Sequence, residues 1–180
     1  KKKRMIQQNL VTNLIEEQFI TNPNKTAIIH NEKKITYKTL LSLYHKYSHA
    51  LCLRGLEQGD LIGIECTRSI DTIALILACA RLGIIFVPID KDYSPHRREH
   101  IYLDCKPKVI IADEANEDED KIFTLMRLYE LAGNSDREHI QRDIPSDQPL
   151  CILYTSGSTG IPKGVVRSHR AVFSQISFLL

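Results

Sequence analysis

LIGIECTRSIDTIALILACARLGIIFVPI, residues 61–89, decides the fold. After a turn around Gly59-Asp60, LIGIE has the continuous apolar character of a strand buried on both faces. Ser69 is a capping residue in front of the helix IDTIALILACARL, and Gly83 is placed to close that helix. IIFVPI then forms the next strand, which completes a βαβ unit and predicts parallel pairing.

The same alternation extends in both directions. Downstream, Ser94-Pro95 supplies a cap and a first-turn proline for the helix HRREHIYLD, and VIIA, residues 109–112, is the strand after it. The acidic stretch DEANEDED, residues 113–120, lacks the central glycine and ligand spacing of an EF-hand, and carboxylates are favourable near a helix N-terminus. It is expected to open a helix over KIFTLMRLYELA, residues 121–132. A polar connector with Gly133, Asn134, Pro145 and Pro149 ends at the strand CILYT, residues 151–155. GVVRSH follows as a short strand and AVFSQISFLL as an amphipathic helix with no stop signal, so the chain is expected to be the front of a longer protein.

Upstream, Leu10, Leu14, Ile15 and Phe19 recur at helical spacing until Asn22-Pro23-Asn24 breaks the pattern before the strand TAIIH. A hairpin-like turn at Asn31 leads into KITY. Thr36 then caps a helix that runs to Arg54, with Leu40, Tyr44, Tyr47 and Leu51 on one face and Gly55 at its end. The expectation is an α/β protein with a mostly parallel sheet flanked by helices.

Composition excludes several other classes. A net charge of +2 over 180 residues gives no reason to expect nucleic acid as a partner. Lys1-Lys2-Lys3-Arg4 reads as a solvated basic extension over residues 1–8. Five cysteines, odd in number and widely spaced, fit neither a disulfide framework nor a paired metal site. They read as reduced thiols of a cytoplasmic protein. No apolar run approaches the length of a membrane span, and no membrane partner is expected.

YTSGSTGIPKGVV, residues 154–166, concentrates three of the eight glycines, Gly157, Gly160 and Gly164, around four hydroxyls and one lysine. The P-loop pattern GxxxxGK[ST] fails here, because Pro162 precedes Lys163 and Gly164 follows it. The dinucleotide pattern GxGxxG fails at Thr159. What remains is a loop between two predicted strands. Its glycines let backbone N–H groups approach an anion, its hydroxyls add donors, and Lys163 adds a mobile charge. Residue chemistry alone leaves two readings open, a phosphate site and a surface hairpin loop.

TSGSTGIPKG, residues 155–164, resembles the signature of the adenylate-forming enzymes, the superfamily of acyl-CoA synthetases, luciferases and nonribosomal peptide synthetase adenylation domains. ITYKTL, residues 35–40, is similar to the L-T-Y-x-E-L element of that family, with Thr39 where glutamate is usual. LACARLGIIFVPIDKDYSPHRREHIYLD, residues 77–104, resembles a block of the amino-acid-activating branch, with Cys79 to Gly83 a variant of its start and Ser94 where proline is common. The resemblance covers residues 9–180. It implies the N-terminal portion of the large adenylate-forming domain, truncated and inactive by itself.

The resemblance also implies a reaction. A carboxylic acid, most similar to an amino acid, attacks the α-phosphorus of ATP with Mg2+ present, pyrophosphate leaves, and the acyl group passes to a thiol. That thiol belongs to the phosphopantetheine of a carrier protein or to CoA. Thr155, Ser156, Gly157, Ser158, Thr159, Gly160 and Lys163 are assigned by this resemblance to phosphate contact, with Lys163 catalytic.

Other readings compete. His96, Glu99 and His100 fit HxxEH, in which two histidines one turn apart bind zinc and a glutamate acts as base, but no third ligand is identifiable. His45 and His49 share a helix face and read as surface residues. His169 reads as a cap or packing residue as readily as a substrate contact. A noncatalytic nucleotide-binding or interaction fragment is the remaining alternative.

Overall fold

The computed structural model describes residues 10–114, 121–133, 140, 142–155 and 161–179. Helix α1 (Val11–Thr21) leads to a two-stranded antiparallel hairpin, β1 (Thr26–His30) and β2 (Lys33–Thr36). Asn31 and Glu32 turn it with φ of 46° and 65°, the left-handed pair that a two-residue hairpin of the primed type I form requires. Thr36 then caps α2 (Tyr37–Leu53), its hydroxyl accepting the Thr39 amide at 3.2 Å.

The βαβ unit forms as its sequence dictates: β3 (Leu61–Glu65), α3 (Ile70–Leu82) and β4 (Ile85–Pro88). Ser69 caps α3 through the Thr72 amide at 3.0 Å. Gly83 ends it at φ 66°, a left-handed position that also has no space for a side chain. A Cβ there would lie 2.7 Å from Gln148 Nε2. Gln148 Nε2 donates to the Gly83 carbonyl at 2.7 Å, so the predicted polar connector is tied onto this turn.

Next come α4 (Pro95–Cys105), capped by Ser94, and β5 (Val109–Ala112). The expected helix over residues 121–132 does not begin where the acidic stretch suggests. Ile122–Thr124 is instead a short strand, β6, paired parallel with β5, and the helix α5 covers only Leu125–Leu131. Ile122 and Phe123 are β-formers that half-bury against β5, and Thr124 accepts the Arg127 amide at 3.1 Å to start the helix there. The acidic residues 115–120 lie outside the described residues. The chain continues with β7 (Pro149–Thr155), β8 (Lys163–Ser168) and α6 (His169–Leu179).

Six strands form one sheet in the order β6-β5-β3-β4-β7-β8, parallel throughout except for the antiparallel β7 and β8. Phe86 and Val87, neighbours on β4, enter different cores. Phe86 joins the large core with α2, α3 and α5, whereas Val87 joins Ile89 and Ile101 beneath α4. Helices therefore cover both faces of a mostly parallel sheet. No helix among the described residues is long and apolar enough to cross a membrane.

A part-buried carboxylate and a buried imidazole give measurable consequences. Glu16 on α1 accepts from Tyr44 of α2 at 2.9 Å and pairs with Arg81 of α3 at 3.0 Å. One carboxylate thus joins three helices, and Arg81 is only 6% exposed. Glu16→Ala is expected to lower unfolding stability by about 2 kcal/mol, the scale of losing hydrogen bonds to a charged acceptor. Urea unfolding of the variant measures this.

His169 opens α6, is fully buried, and neither ring nitrogen has a hydrogen-bond partner among the described residues. It is a packing residue, and burial lowers its pKa from 6.5 to about 4. The unfolded chain takes up the proton at the higher value and the folded chain at the lower. Stability from this group is therefore complete above pH 6.5, declines as pH falls to about 4, and levels off below. Within that window the slope is about 1.4 kcal/mol per pH unit. Unfolding midpoints over a pH series should show this component in the native chain and its loss in His169→Leu.

Candidate active site

The glycine-rich stretch connects β7 to β8 at the carboxyl edge of the sheet. The hairpin register pairs Ile152 with Val166, Leu153 with Val165, Tyr154 with Gly164, and Thr155 with Lys163. Two of the residues assigned by resemblance, Thr155 and Lys163, thus stand directly opposite each other, both exposed. The other five, Ser156, Gly157, Ser158, Thr159 and Gly160, lie outside the described residues. The expected arrangement of a loop between strands, rather than a loop feeding a helix, is what the fold contains.

The loop lies at a place where α/β proteins collect ligands. The connection after β3 runs through α3 on one face, and the connection after β4 runs through α4 on the other. Between such diverging connections the carboxyl ends of the strands leave a crevice. Here it is a cleft of about 620 Å³, lined among others by Thr67, Arg68, Asp90, Lys91, Tyr93 and Tyr154. Tyr154 directly precedes Thr155, so the cleft and the glycine-rich hairpin share a wall.

A second cleft, about 790 Å³, opens beneath α4 and is lined by Glu65, Lys91, Arg98, Glu99, Tyr102 and Asp113 among others. Glu65 is 9% exposed, and its two carboxylate oxygens accept separately from Arg98 Nη1 and Tyr102 Oη. Burial, then the Glu65 carboxylate, drives the Tyr102 phenol well above its ordinary range, so it stays a donor. Asp113 accepts the Thr67 amide at 2.9 Å and fixes the start of the β3 to α3 turn. Burial raises the neighbouring Cys66 thiol to about 12, and it donates to the Ile111 carbonyl at 3.3 Å. Cys66 is therefore no nucleophile at neutral pH.

Two pairings of this region escape sequence reasoning. Asp104 on α4 accepts the Tyr154 hydroxyl at 2.5 Å across fifty positions of chain. Glu65 meets Arg98 across thirty-three. Only the polar Glu65 at the end of an otherwise apolar strand signals that a partner waits. His96, Glu99 and His100 stand together on α4. Among the described residues, no group of three or more His, Cys, Asp or Glu side chains is placed to hold a metal ion.

Known proteins are similar to this chain in sequence and in fold. The family model described as AMP-binding enzyme matches residues 15–179. The anguibactin system regulator of Vibrio anguillarum is 33% identical over 172 residues, which are 92% of this chain and 16% of that protein. Bacitracin synthase 1 of Bacillus licheniformis is 33% identical over 168 residues, 92% of this chain and 3% of that one. The chain thus spans a small fraction of the length of these relatives.

Among solved structures, the N-terminal subdomain of Klebsiella oxytoca NpsA, in complex with 3-hydroxybenzoyl-AMSN, superposes with a TM-score of 0.81 at 25% identity. The match covers 89% of this chain and 41% of that one. An artificially fused adenylation-PCP di-domain from the same organism, NpsA-ThdA, gives 0.84 at 25% identity over 93% of this chain and 34% of that one. The chain belongs to the AMP-binding enzyme family, and its fold is that of the N-terminal part of an adenylation domain.

Proposed function

We propose that the whole protein carrying this chain activates a carboxylic acid, and specifically an amino acid, as its acyl-adenylate. The observation that carries the reading is the hairpin that sets Lys163 opposite Thr155 at the sheet's carboxyl edge, in a chain of the AMP-binding family. Relatives named as bacitracin and tyrocidine synthases support an amino acid as the substrate. Residues 9–180 belong to this one adenylation domain, with residues 1–8 a basic extension. All five cysteines are free thiols, which fits a cytoplasmic protein.

In the reaction an oxygen of the acid's carboxylate bonds to the α-phosphorus of ATP. The bond from that phosphorus to the bridging oxygen breaks, and pyrophosphate leaves with the electron pair. Negative charge grows on the β- and γ-phosphates as this happens. The Lys163 ammonium and the hydroxyl and N–H donors assigned to Thr155, Ser156, Gly157, Ser158, Thr159 and Gly160 hold that charge in place. Mg2+ accompanies ATP as a further counter-charge, and the exposed Thr155 hydroxyl and the loop donors suit a metal–phosphate complex rather than a bare ion. The adenylate then yields its acyl group to a thiol, with AMP departing. The NpsA fusion to a PCP domain favours a carrier-protein phosphopantetheine as acceptor, with CoA the other candidate.

The test is acid-dependent exchange of labelled pyrophosphate into ATP by the whole protein across a panel of amino and aryl acids. Exchange with one acid or a small group of acids is expected, and Lys163→Ala should slow it roughly a hundredfold, as removal of one transition-state donor does. A protein that exchanges with no acid is not an adenylation enzyme. Full-rate exchange by Lys163→Ala would remove that lysine from the mechanism.

A further inference from the structure

We propose that Tyr154 and Asp104 are positioning residues for the phosphate loop: the Tyr154 ring lies against Gly164 while Asp104 holds its hydroxyl, and this clamp sets the register that puts Lys163 opposite Thr155. The proposal rests on the assignment of this loop to the phosphates of ATP. Among the described residues, strand β8 is at the edge of the sheet, and its only strand partner is β7. An edge hairpin can slip, and a one-residue slip sends every side chain to the opposite face. Lys163, the first residue of β8, would then point away from the site.

The clamp opposes both kinds of slip. Tyr154 and Gly164 are direct partners across the hairpin, and a Cβ at position 164 would come within 3.2 Å of Tyr154 Cζ and 3.0 Å of Ile152 Cγ2. The backbone at Gly164 has no positive φ, so conformation does not demand glycine there. The ring does. A two-residue slip, which preserves the faces, would put Val166 or Pro162 beneath the ring in place of glycine, and either side chain crowds a space where a single Cβ is already tight.

The ring itself is fixed to the rigid part of the fold. It packs into the cluster of Val87, Ile89 and Ile101, and its hydroxyl donates to Asp104 Oδ2 at 2.5 Å. Asp104 belongs to α4, which Arg98 and Tyr102 tie to Glu65 at the end of β3. Placement of Lys163 is thereby coupled to the helix on the far side of the sheet's central strands.

The test uses the whole protein, with pyrophosphate exchange measured over ranges of pyrophosphate and of acid, and unfolding midpoints recorded alongside. Tyr154→Phe keeps the ring and loses the hydroxyl, and Asp104→Asn weakens the acceptor. Each should raise the KM for pyrophosphate about fivefold while leaving the KM for the acid unchanged, the split expected from one lost hydrogen bond that acts only on the loop. The double variant should be no worse than either single one, because both remove the same bond. Gly164→Ala should slow exchange, and adding Tyr154→Leu to it should restore part of the rate by vacating the space. Wild-type exchange with an unchanged pyrophosphate KM in both single variants would overturn the clamp, as would full multiplication of their effects in the double variant. No exchange in the wild-type protein would overturn the adenylation reading on which the clamp rests.

Discussion

The carboxylate of Glu65 stands at the carboxyl end of β3, almost withdrawn from water, where strand β3 and helix α4 meet at the cleft beneath that helix. An ionised group so placed is tolerated only when its lone pairs are matched, and Arg98 and Tyr102 match one oxygen each. Both partners are on α4, one turn apart, so the requirement of one carboxylate fixes the rotation of the helix as well as its distance from the sheet. Ile101, between them in sequence, is then turned into the apolar cluster with Val87 and Ile89. Everything that α4 touches, including the strand that leads into the glycine-rich loop, inherits that placement.

The same helix carries the HxxEH residues on a different stripe from the residues that meet the sheet. Residues 98, 101, 102 and 105 recur at helical spacing and face the sheet, where Arg98 and Tyr102 reach Glu65 and Ile101 is buried. Other positions are more open: His96, Glu99 and Leu103 are exposed, and His100 is half-buried. An outward stripe of polar residues at i and i+4 satisfies HxxEH by spacing alone. The inward stripe carries the structural information, and its partners come from distant parts of the chain.

The layered α/β architecture was legible because it depends on local patterns: apolar runs for buried strands, Ser69 and Ser94 as caps, Gly83 as a stop. The glycine-rich loop was legible as a string, and its place between two strands followed from the runs beside it. Lys121 to Thr124 was misread because an acidic approach and an apolar run suit a helix start, whereas a vacant sheet edge beside β5 recruited Ile122 and Phe123 as a strand. The pairs Glu65 with Arg98 and Asp104 with Tyr154 were illegible for a different reason. No local rule links residues thirty-three or fifty positions apart, and only folding brings them within bonding distance.

Under the proposed function, the hairpin also decides which physical forces are available to hold phosphate. In loops that feed a helix directly, the helix N-terminus brings its partial positive charge and free N–H groups to the anion. Here the chain leaves the loop into β8, and α6 begins only after six strand residues, at His169. At about 3.3 Å per residue that helix start is roughly 20 Å from Lys163, beyond the reach of a terminal dipole that fades within its first turn. Its first residue is moreover a buried, neutral imidazole turned into the core. Under the proposed function, charge stabilisation comes from Lys163 and from the donors assigned to residues 155–160, and Lys163 stands opposite Thr155 only while the two strands hold their register. On the proposed reading, the lysine at the mouth of the hairpin supplies charge that a helix dipole would bring elsewhere, and the packing behind that lysine bears on the chemistry.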